Sequence, residues 1–186
     1  MRTFIAIDLD PEIKKAISDF LRRLKKLGSS NIGWIKVQGM HLTLKFLGEI
    51  DDAQASQVKE LIEDATRSSK TFLLKLKGTG FFPPNPKCPR VLWIGTVSEA
   101  ALLELQERLE SRLEGLGFSR ENRPFHPHLT LGRVKNPSGL GDIIAEFEKA
   151  KEAELGEMTV KRITLFKSTL KPTGAEYTVL GESPLS

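Results

Sequence analysis

Two histidines in this chain head the same tetrapeptide, His-Leu-Thr-Leu, at residues 41–44 and again at residues 128–131. The copies lie 87 positions apart (128 − 41), in a chain that has only 3 histidines. A catalyst that takes one proton from a nucleophile and gives another to a leaving group needs two groups that titrate near neutral pH. Histidine suits both tasks. The repeat therefore predicts acid–base chemistry by a pair of histidines.

The strand geometry of each tetrapeptide explains why threonine belongs to the same site. Residues i and i+2 of a strand point to one side, so His41 shares a face with Thr43, and His128 shares a face with Thr130. The leucines alternate with them and can enter a core. An imidazole and a hydroxyl on one face can hold a single phosphate oxygen. Two such strands, facing each other across a pseudo-two-fold axis, would surround a phosphate.

A single copy of the tetrapeptide would be typical of an ordinary strand with a surface histidine. The case for catalysis comes from the surroundings, which also recur. Strand-like runs at residues 4–7 and 91–94 lie 37 positions before the respective histidines, and further strand-like runs cover residues 72–76 and 158–165. Polar residues on the face away from a core need another reason to match, so the paired repeat favours a shared function.

Four amphipathic helices are predicted between these strands. The first begins at Asp10–Glu12, has apolar residues at helical spacing and ends at Gly28. The others begin near Ser98, near Asp51 and near Gly141. The unit strand–helix–strand–helix–strand is thus used twice, at about residues 1–80 and 88–170, with a closing strand near residues 175–181. We expect the lobe boundary in the Pro-rich residues 80–90.

Composition and charge restrict the class of protein. The 186 residues are 39% hydrophobic and 28% charged, as in a globular domain with a real core. No apolar run approaches the roughly 20 residues that span a bilayer, and the N-terminus is predicted to be a strand rather than a signal peptide, so we expect a cytoplasmic protein. Cys88 is the single cysteine, which excludes an internal disulfide. A net charge of +4 weakly favours a polyanionic partner.

The motifs and their flanks resemble a known superfamily over almost the whole chain. The segments that carry the resemblance are residues 2–7, 40–48, 89–93, 125–133 and 170–177. They are similar to the 2H phosphoesterases, whose signature is two His-x-Thr/Ser-x motifs on facing lobes, and within them to the RNA 2′,3′-cyclic phosphodiesterases, also called 2′-5′ RNA ligases. Neither motif departs from the signature. The implied fold is a single α+β domain, residues 1–186, of two similar lobes related by pseudo-two-fold symmetry. Each lobe has a mainly antiparallel sheet with helices on its outer face, and a central cleft lies between them.

The resemblance also implies a reaction and roles. The reaction is hydrolysis of a terminal 2′,3′-cyclic phosphate to a 2′-phosphomonoester. His128 would be the proton acceptor that activates water, and His41 the proton donor to the leaving 3′ oxygen. Thr43 and Thr130 would donate hydrogen bonds to the non-bridging oxygens. The symmetry of the sequence does not by itself decide which histidine is the acid.

Two further residues are candidates for substrate binding. Arg133 could clamp a phosphate, because a guanidinium matches phosphate geometry. Strict alternation from His128 would place it on the core side, so this role needs a bulge or a strand end, for example at Gly132. A solvent-exposed arginine at the strand edge is the alternative. Phe46 holds the corresponding place in the first unit and could stack on a base or pack in the core. The same two interpretations apply to Trp34, Phe82 and Tyr177.

Cofactors and partners follow from the same reasoning. His126 and His128 with one residue between them and no third ligand nearby make a weak metal site, so we expect no metal and no cofactor. The expected partner is RNA with 2′,3′-cyclic phosphate ends, including tRNA fragments or nucleotides; we expect no membrane association and a monomer. The alternatives are 2′-5′ ligation of tRNA halves, hydrolysis of small cyclic nucleotides, and a non-catalytic RNA- or nucleotide-binding module.

Overall fold

The computed structural model of the chain describes residues 1–28, 30–97, 100–172 and 174–186. In these residues four helices form: α1 (Pro11–Lys26), α2 (Asp52–Arg67), α3 (Ala100–Gly115) and α4 (Gly141–Lys149). The strands are β1 (Arg2–Asp8), β2 (Ile32–Trp34), β3 (His41–Glu49), β4 (Phe72–Phe82), β5 (Val91–Thr96), β6 (His128–Val134), β7 (Glu154–Val160), β8 (Arg162–Lys171) and β9 (Gly174–Pro184). A short 3-10 turn, Val37–Gly39, leads into β3.

The strands form two sheets, and every neighbouring pair in them is antiparallel. The first sheet has the order β3-β1-β8-β9 and the second has the order β2-β6-β5-β4-β7. Helices α2 and α3 pack on the first sheet, and α1 and α4 pack on the second. The predicted α+β fold with two mainly antiparallel sheets is confirmed. It places the two motif strands, β3 and β6, in different sheets.

Each sheet takes a central strand from the other half of the sequence. Strand β8 lies beside β1 in the first sheet, and β4 lies beside β5 in the second. The Pro-rich residues 80–90 therefore connect two hydrogen-bonded neighbours, whose pairing runs up to Phe82 opposite Val91. The segment in which we expected the lobe boundary thus joins two strands of one sheet, so each sheet combines strands from both halves of the sequence.

The apolar run at residues 158–165 is two strands rather than one. Val160 at the end of β7 pairs with Phe72 in the second sheet, whereas Arg162 at the start of β8 pairs with Pro184 in the first. The chain leaves one sheet and enters the other at Lys161. Alternating apolar residues on both sides of Lys161 hide this crossing, since either sheet can bury them.

The helices follow their sequence signals closely. Helix α1 has Pro at its first turn and ends before Gly28, whose φ of +72° suits a residue without a side chain. Asp51 caps α2 through a reciprocal bond pair with Gln54. The start predicted near Ser98 lies outside the described residues. No helix in the described part of the chain is long and apolar enough to cross a membrane.

Candidate active site

Strand β3 carries a β-bulge directly after its His-x-Thr motif. Thr43 lies opposite Ala6 of β1, whereas Lys45 lies opposite Ile5, so Leu44 is an extra residue without a partner on β1. A bulge resets the alternation of side chains and is frequent beside active sites. Leu44 and Lys45 are consecutively buried as a result, and the next residue, Phe46, is 56% exposed.

Strand β6 carries the same bulge at the equivalent position. Thr130 lies opposite Trp93 and Gly132 lies opposite Leu92, so Leu131 is the extra residue. Leu131 and Gly132 are buried, and Arg133 after them is exposed. The bulge that a phosphate-binding Arg133 requires is therefore present, at Leu131 rather than at Gly132. Phe46 and Arg133 both turn into the cleft for this reason.

The four motif side chains line one cleft of about 1280 Å³ between the two sheets. His41 and Thr43 come from the first sheet, and His128 and Thr130 come from the second. The alternating leucines are 0–3% exposed on the opposite faces of their strands: Leu42, Leu44, Leu129 and Leu131. The core thus anchors both strands from behind and leaves the polar groups facing the cleft.

Aromatic rings surround His41. Phe4 stacks on the imidazole with 4.4 Å between ring centroids, and Phe166 lies beyond it at 5.9 Å. Tyr177 meets the imidazole edge-on at 5.0 Å. These rings exclude water from the histidine, so the neutral form is favoured. Sequence reasoning missed Phe4 and Phe166, because both look like ordinary strand residues until the sheet order is known.

Burial in this setting lowers the pKa of His41 from 6.5 to about 4. The backbone carbonyl of Gly39 and the nearby Asp8 carboxylate oppose the shift, and the ammonium of Lys14 adds to it. In the free protein at neutral pH, His41 is therefore a neutral imidazole. A role as proton donor requires that it gain its proton when substrate binds.

His128 has a different environment. Phe82 meets its ring in a T-shaped contact at 5.2 Å, and Trp93 lies tilted at 6.3 Å. Neither ring covers the imidazole face to face as Phe4 covers His41. The two histidines share a motif, but the surroundings that the two sheets provide differ.

Each imidazole is oriented by the backbone two residues before it. His41 Nδ1 lies 2.9 Å from the carbonyl oxygen of Gly39, and His128 Nδ1 lies 2.6 Å from that of His126. A carbonyl can only accept, so Nδ1 carries a proton and Nε2 is the atom left for chemistry in the cleft. In both histidines Nε2 can then take up or release a proton while the ring orientation stays constant.

Gly39 and Tyr177 pack closely behind His41. A Cβ added to Gly39 would lie 3.0 Å from the Tyr177 ring, tighter than ordinary side-chain contacts. The absence of a side chain at Gly39 thus lets the tyrosine approach the carbonyl that orients His41. Of the other aromatic candidates, Phe82 lines the cleft, whereas Trp34 lies over Gly132 and packs against the core.

His126, which the sequence analysis considered as a metal ligand, contacts His128 through its backbone carbonyl. His126 is exposed in the extended segment before β6, and its carbonyl accepts from His128. Among the described residues, no group of three or more His, Cys, Asp and Glu side chains is placed to hold a metal ion.

A buried ion pair lies beneath the cleft and ties strand β3 to helix α3. Lys45 Nζ donates to Glu110 of α3 at 2.8 Å, and the two side chains are 3% and 5% exposed. The same ammonium donates to the carbonyl of Ser119 at 2.7 Å, and Glu110 accepts from Gln106 and from the backbone of Glu121. Sequence alternation did not indicate this pair, since only the bulge turns Lys45 inward.

Comparison with known proteins gives a consistent result. The family model of the 2′-5′ RNA ligase superfamily matches residues 9–171 of this chain. A Thermotoga maritima protein named RNA 2′,3′-cyclic phosphodiesterase is 39% identical over 183 residues, covering 98% of this chain and 94% of that protein. A Methanocaldococcus jannaschii protein of the same name is 37% identical over 182 residues, covering 98% and 99%.

Solved structures agree with the sequence matches. A Thermus thermophilus protein superposes with a TM-score of 0.85 at 30% identity, covering all of this chain and 98% of that one. The E. coli LigT structure complexed with 3′-AMP gives a TM-score of 0.80 at 28% identity, with coverage of 100% and 98%. Both similarities extend over both sheets and the cleft between them.

Proposed function

Because the chain belongs to the 2′-5′ RNA ligase superfamily, we propose that it hydrolyses 2′,3′-cyclic phosphates at RNA ends to 2′-phosphomonoesters. Relatives named RNA 2′,3′-cyclic phosphodiesterase cover nearly the whole chain, which supports an enzyme, a phosphodiester hydrolase. The observation that carries the proposal is the pair of His-x-Thr motifs from two sheets that line one cleft. Binding alone needs fixed cations more than titratable imidazoles, so this arrangement favours catalysis.

The proposed mechanism uses Nε2 of each histidine. His128 takes a proton from water as the water oxygen forms a bond to phosphorus. The bond from phosphorus to the 3′ oxygen breaks, and His41 gives its proton to that oxygen. The phosphate stays on the 2′ oxygen, and solvent restores the starting protonation of both rings. Each histidine handles one proton, so the reaction requires both.

In this scheme, His41 becomes protonated when the substrate binds. The aromatic surroundings that lower its pKa to about 4 keep it neutral in the free protein. A phosphodiester carries a negative charge, and an opposite charge within a few Å raises the pKa of an imidazole. We infer that substrate binding and protonation of His41 are coupled, so that the acid forms only when there is a phosphate to receive its proton.

The remaining cleft residues act on the charge and on the base. Thr43 and Thr130 donate to the non-bridging oxygens, where negative charge grows in the transition state. Arg133 completes the phosphate site from the second wall, and Phe46 offers an exposed ring on which the terminal base can stack. These roles rest on the positions of the side chains in the cleft.

The proposal includes no metal ion and no cofactor, since the two imidazoles account for both proton transfers. All the proposed groups belong to one chain, which supports a monomer. The cytoplasmic location expected from the sequence stays a prediction.

The test is an assay with an oligonucleotide that ends in a 2′,3′-cyclic phosphate, incubated in the presence of a chelator. We expect a product whose phosphate maps to the 2′ oxygen. His41→Ala and His128→Ala should each reduce the rate by at least about 100-fold, because each removes one proton transfer. Full activity in both variants would contradict the mechanism, as would a rate that is constant from about pH 5 to 9.

The same assay separates the alternative reaction. If a second RNA with a 5′ hydroxyl takes the place of water, the product is a 2′-5′ linkage. Water greatly outnumbers RNA hydroxyls, so we expect hydrolysis to dominate when both are present. A joined product in excess over the monoester would favour ligation.

A further inference from the structure

Among the described residues, Arg123 lines the cleft without an ion pair, and the fold anchors the segment that carries it. Arg123 lies in the segment before β6, is exposed and lines the cleft. Within the described residues, no carboxylate forms an ion pair with it. By contrast, nearby Arg120 is paired with Glu107 and Glu114. The charge of Arg123 is therefore available to an anion in the cleft.

Two other arginines that line the cleft differ from Arg123, one by an acidic neighbour and one by its proposed role at the reacting phosphate. Arg2 has Glu49 as its cross-strand neighbour. Arg133 follows the second motif on β6, on the wall where the reacting phosphate is proposed to bind. Of the described arginines that line the cleft, Arg123 is the one that lies outside the motif strands and has neither an ion pair nor an acidic cross-strand neighbour.

The buried ion pair beneath the cleft holds the segment that carries Arg123. Ser119 is bonded through its carbonyl to Lys45, and the backbone N–H of Glu121 reaches Glu110 at 3.4 Å. Pro124 then restricts the backbone on the other side of Arg123. A preordered segment loses little conformational entropy when it binds a ligand. The fold thus presents this guanidinium to the cleft in advance.

The size of the cleft leaves room for more than the reacting nucleotide. Pockets for a single small ligand have volumes of roughly 300–1,000 Å³, and this cleft measures about 1280 Å³. In the proposed function, the cyclic phosphate already has both histidines, both threonines and Arg133. In an RNA chain, the next anion is the phosphodiester on the 5′ side of the terminal nucleoside.

We propose that Arg123 binds this second phosphate, so that the cleft takes the end of an RNA chain in preference to a free cyclic mononucleotide. The inference rests on the proposed function and adds the residue that binds the RNA chain beyond its terminal nucleotide. Guanidinium and phosphate form charge-assisted, bidentate hydrogen bonds. The contact lies away from the reacting bonds, so it lowers KM for chains and leaves the chemistry of the terminal phosphate unchanged.

The experiment compares a 2′,3′-cyclic mononucleotide with a dinucleotide that ends in the same cyclic nucleotide and has one internal phosphodiester. We expect the unmodified protein to have a kcat/KM at least about 10-fold higher for the dinucleotide. Arg123→Gln should remove most of this preference through KM and leave the mononucleotide within about 2-fold. Arg123→Lys should keep part of it, which shows that charge rather than the shape of the segment is responsible.

Two controls sharpen the result. Arg90→Gln removes one exposed arginine outside the cleft and should leave the preference intact. A dinucleotide with a neutral methylphosphonate in place of the internal phosphodiester should lose the preference in the unmodified protein. That substrate should show no further loss with Arg123→Gln, because the variant and the analogue remove the same contact.

Several outcomes would overturn the inference. An equal loss on both substrates with Arg123→Gln would place Arg123 at the reacting phosphate, and independent losses from the variant and the methylphosphonate would place the second phosphate elsewhere. If the unmodified protein hydrolyses neither substrate, the proposed function fails. The second-phosphate contact is then decided by dinucleotide binding alone, where an unchanged Kd in Arg123→Gln rejects it.

Discussion

His41 and His128 have the same sequence neighbours and different physical environments. Face-to-face stacking with Phe4 and the edge of Tyr177 remove His41 from water, whereas His128 meets aromatic rings at an angle. Dehydration disfavours the imidazolium, so the setting given by the first sheet lowers the pKa of His41 to about 4. The motif supplies the two imidazoles, and residues from other strands determine the environment of each.

The pKa of His41 predicts how stability depends on pH. Between pH 6.5 and pH 4 the unfolded chain binds a proton at this residue and the folded chain does not, so acid favours unfolding. The contribution is fully present above pH 6.5 and is lost as the pH falls towards 4. We expect the free energy of unfolding to drop by up to about 3 kcal/mol from this group. Urea denaturation across this range measures it.

The control for this prediction is His41→Asn, which has no titratable group at the position. Carboxylates titrate in both proteins, so the difference between the two pH curves isolates the histidine. Superimposable curves would mean that His41 keeps its ordinary pKa in the folded protein.

At the scale of single elements, the turn Val37–Gly39 and strand β3 form one orienting device. The carbonyl oxygen of Gly39 accepts the hydrogen bond from His41 Nδ1, and the lack of a side chain at Gly39 allows the close approach of Tyr177. Helix α3 then reaches β3 through the buried pair Lys45–Glu110. Motif, turn and helix are thus joined by specific contacts as well as by the hydrophobic core.

Gly39→Ala tests the turn. The added Cβ would lie 3.0 Å from Tyr177, so either the ring or the carbonyl must shift. We expect kcat to fall by about 10- to 100-fold, because misplacing a catalytic group by about 1 Å has effects of this size. Gly33→Ala is the matched control, as its Cβ would meet neighbours only at 3.6 Å and beyond. Equal activity of the two variants would contradict the prediction.

Lys45→Met tests the link to α3. It leaves the Glu110 carboxylate buried without its cation, and breaking a buried pair in this way costs about 3–5 kcal/mol. The double variant Lys45→Met/Glu110→Met removes both charges and should recover at least about 2 kcal/mol of that loss. Chemical denaturation of the three proteins gives the comparison. A double variant less stable than the single one would show that the pair is not the source of the effect.

The sequence was sufficient to predict the four described helices and most strands, but not β2, the division of residues 158–165 between two strands, or the exchange of strands between the sheets. The start of α1 depends on a proline in its first turn and that of α2 on the capping box of Asp51, so local patterns revealed both. The crossing at Lys161 and the bulge at Leu44 depend on hydrogen bonds to strands far away in sequence. Simple alternation therefore gave the correct faces for His41 and Thr43, whereas the bulge, which alternation does not reveal, turns Lys45 inward.

At the scale of the whole molecule, each sheet contains three adjacent strands in a matching arrangement, β3-β1-β8 in the first and β6-β5-β4 in the second. In each, a motif strand lies beside the first strand of its own half, and the next strand in the sheet comes from the other half. With the equivalent bulges at Leu44 and Leu131, this supports our proposal that residues 1–80 and 88–170 are two copies of one unit. The closing strand predicted near residues 175–181 lies within β9.

The exchange of β4 and β8 between the two sheets predicts that neither half of the sequence folds alone. A fragment of residues 1–86 lacks β8, and a fragment of residues 87–186 lacks β4, so each sheet would lose a central strand. We expect both fragments to be disordered separately by circular dichroism and to regain the native spectrum when mixed. Cooperative thermal unfolding of either fragment alone would contradict this.

In the proposed function, the unlike residues placed in the cleft by the two bulges set the direction in which an RNA end enters. A cleft with identical walls would accept an RNA end in two opposite orientations, and only one of them would present water and the leaving oxygen to the correct histidines. The roles proposed for Phe46 on one wall and Arg133 on the other would remove that ambiguity, because a base and a phosphate cannot exchange places between a ring and a cation. The departure from symmetry at these two positions gives the cleft a polarity that matches the chemical polarity of an RNA strand.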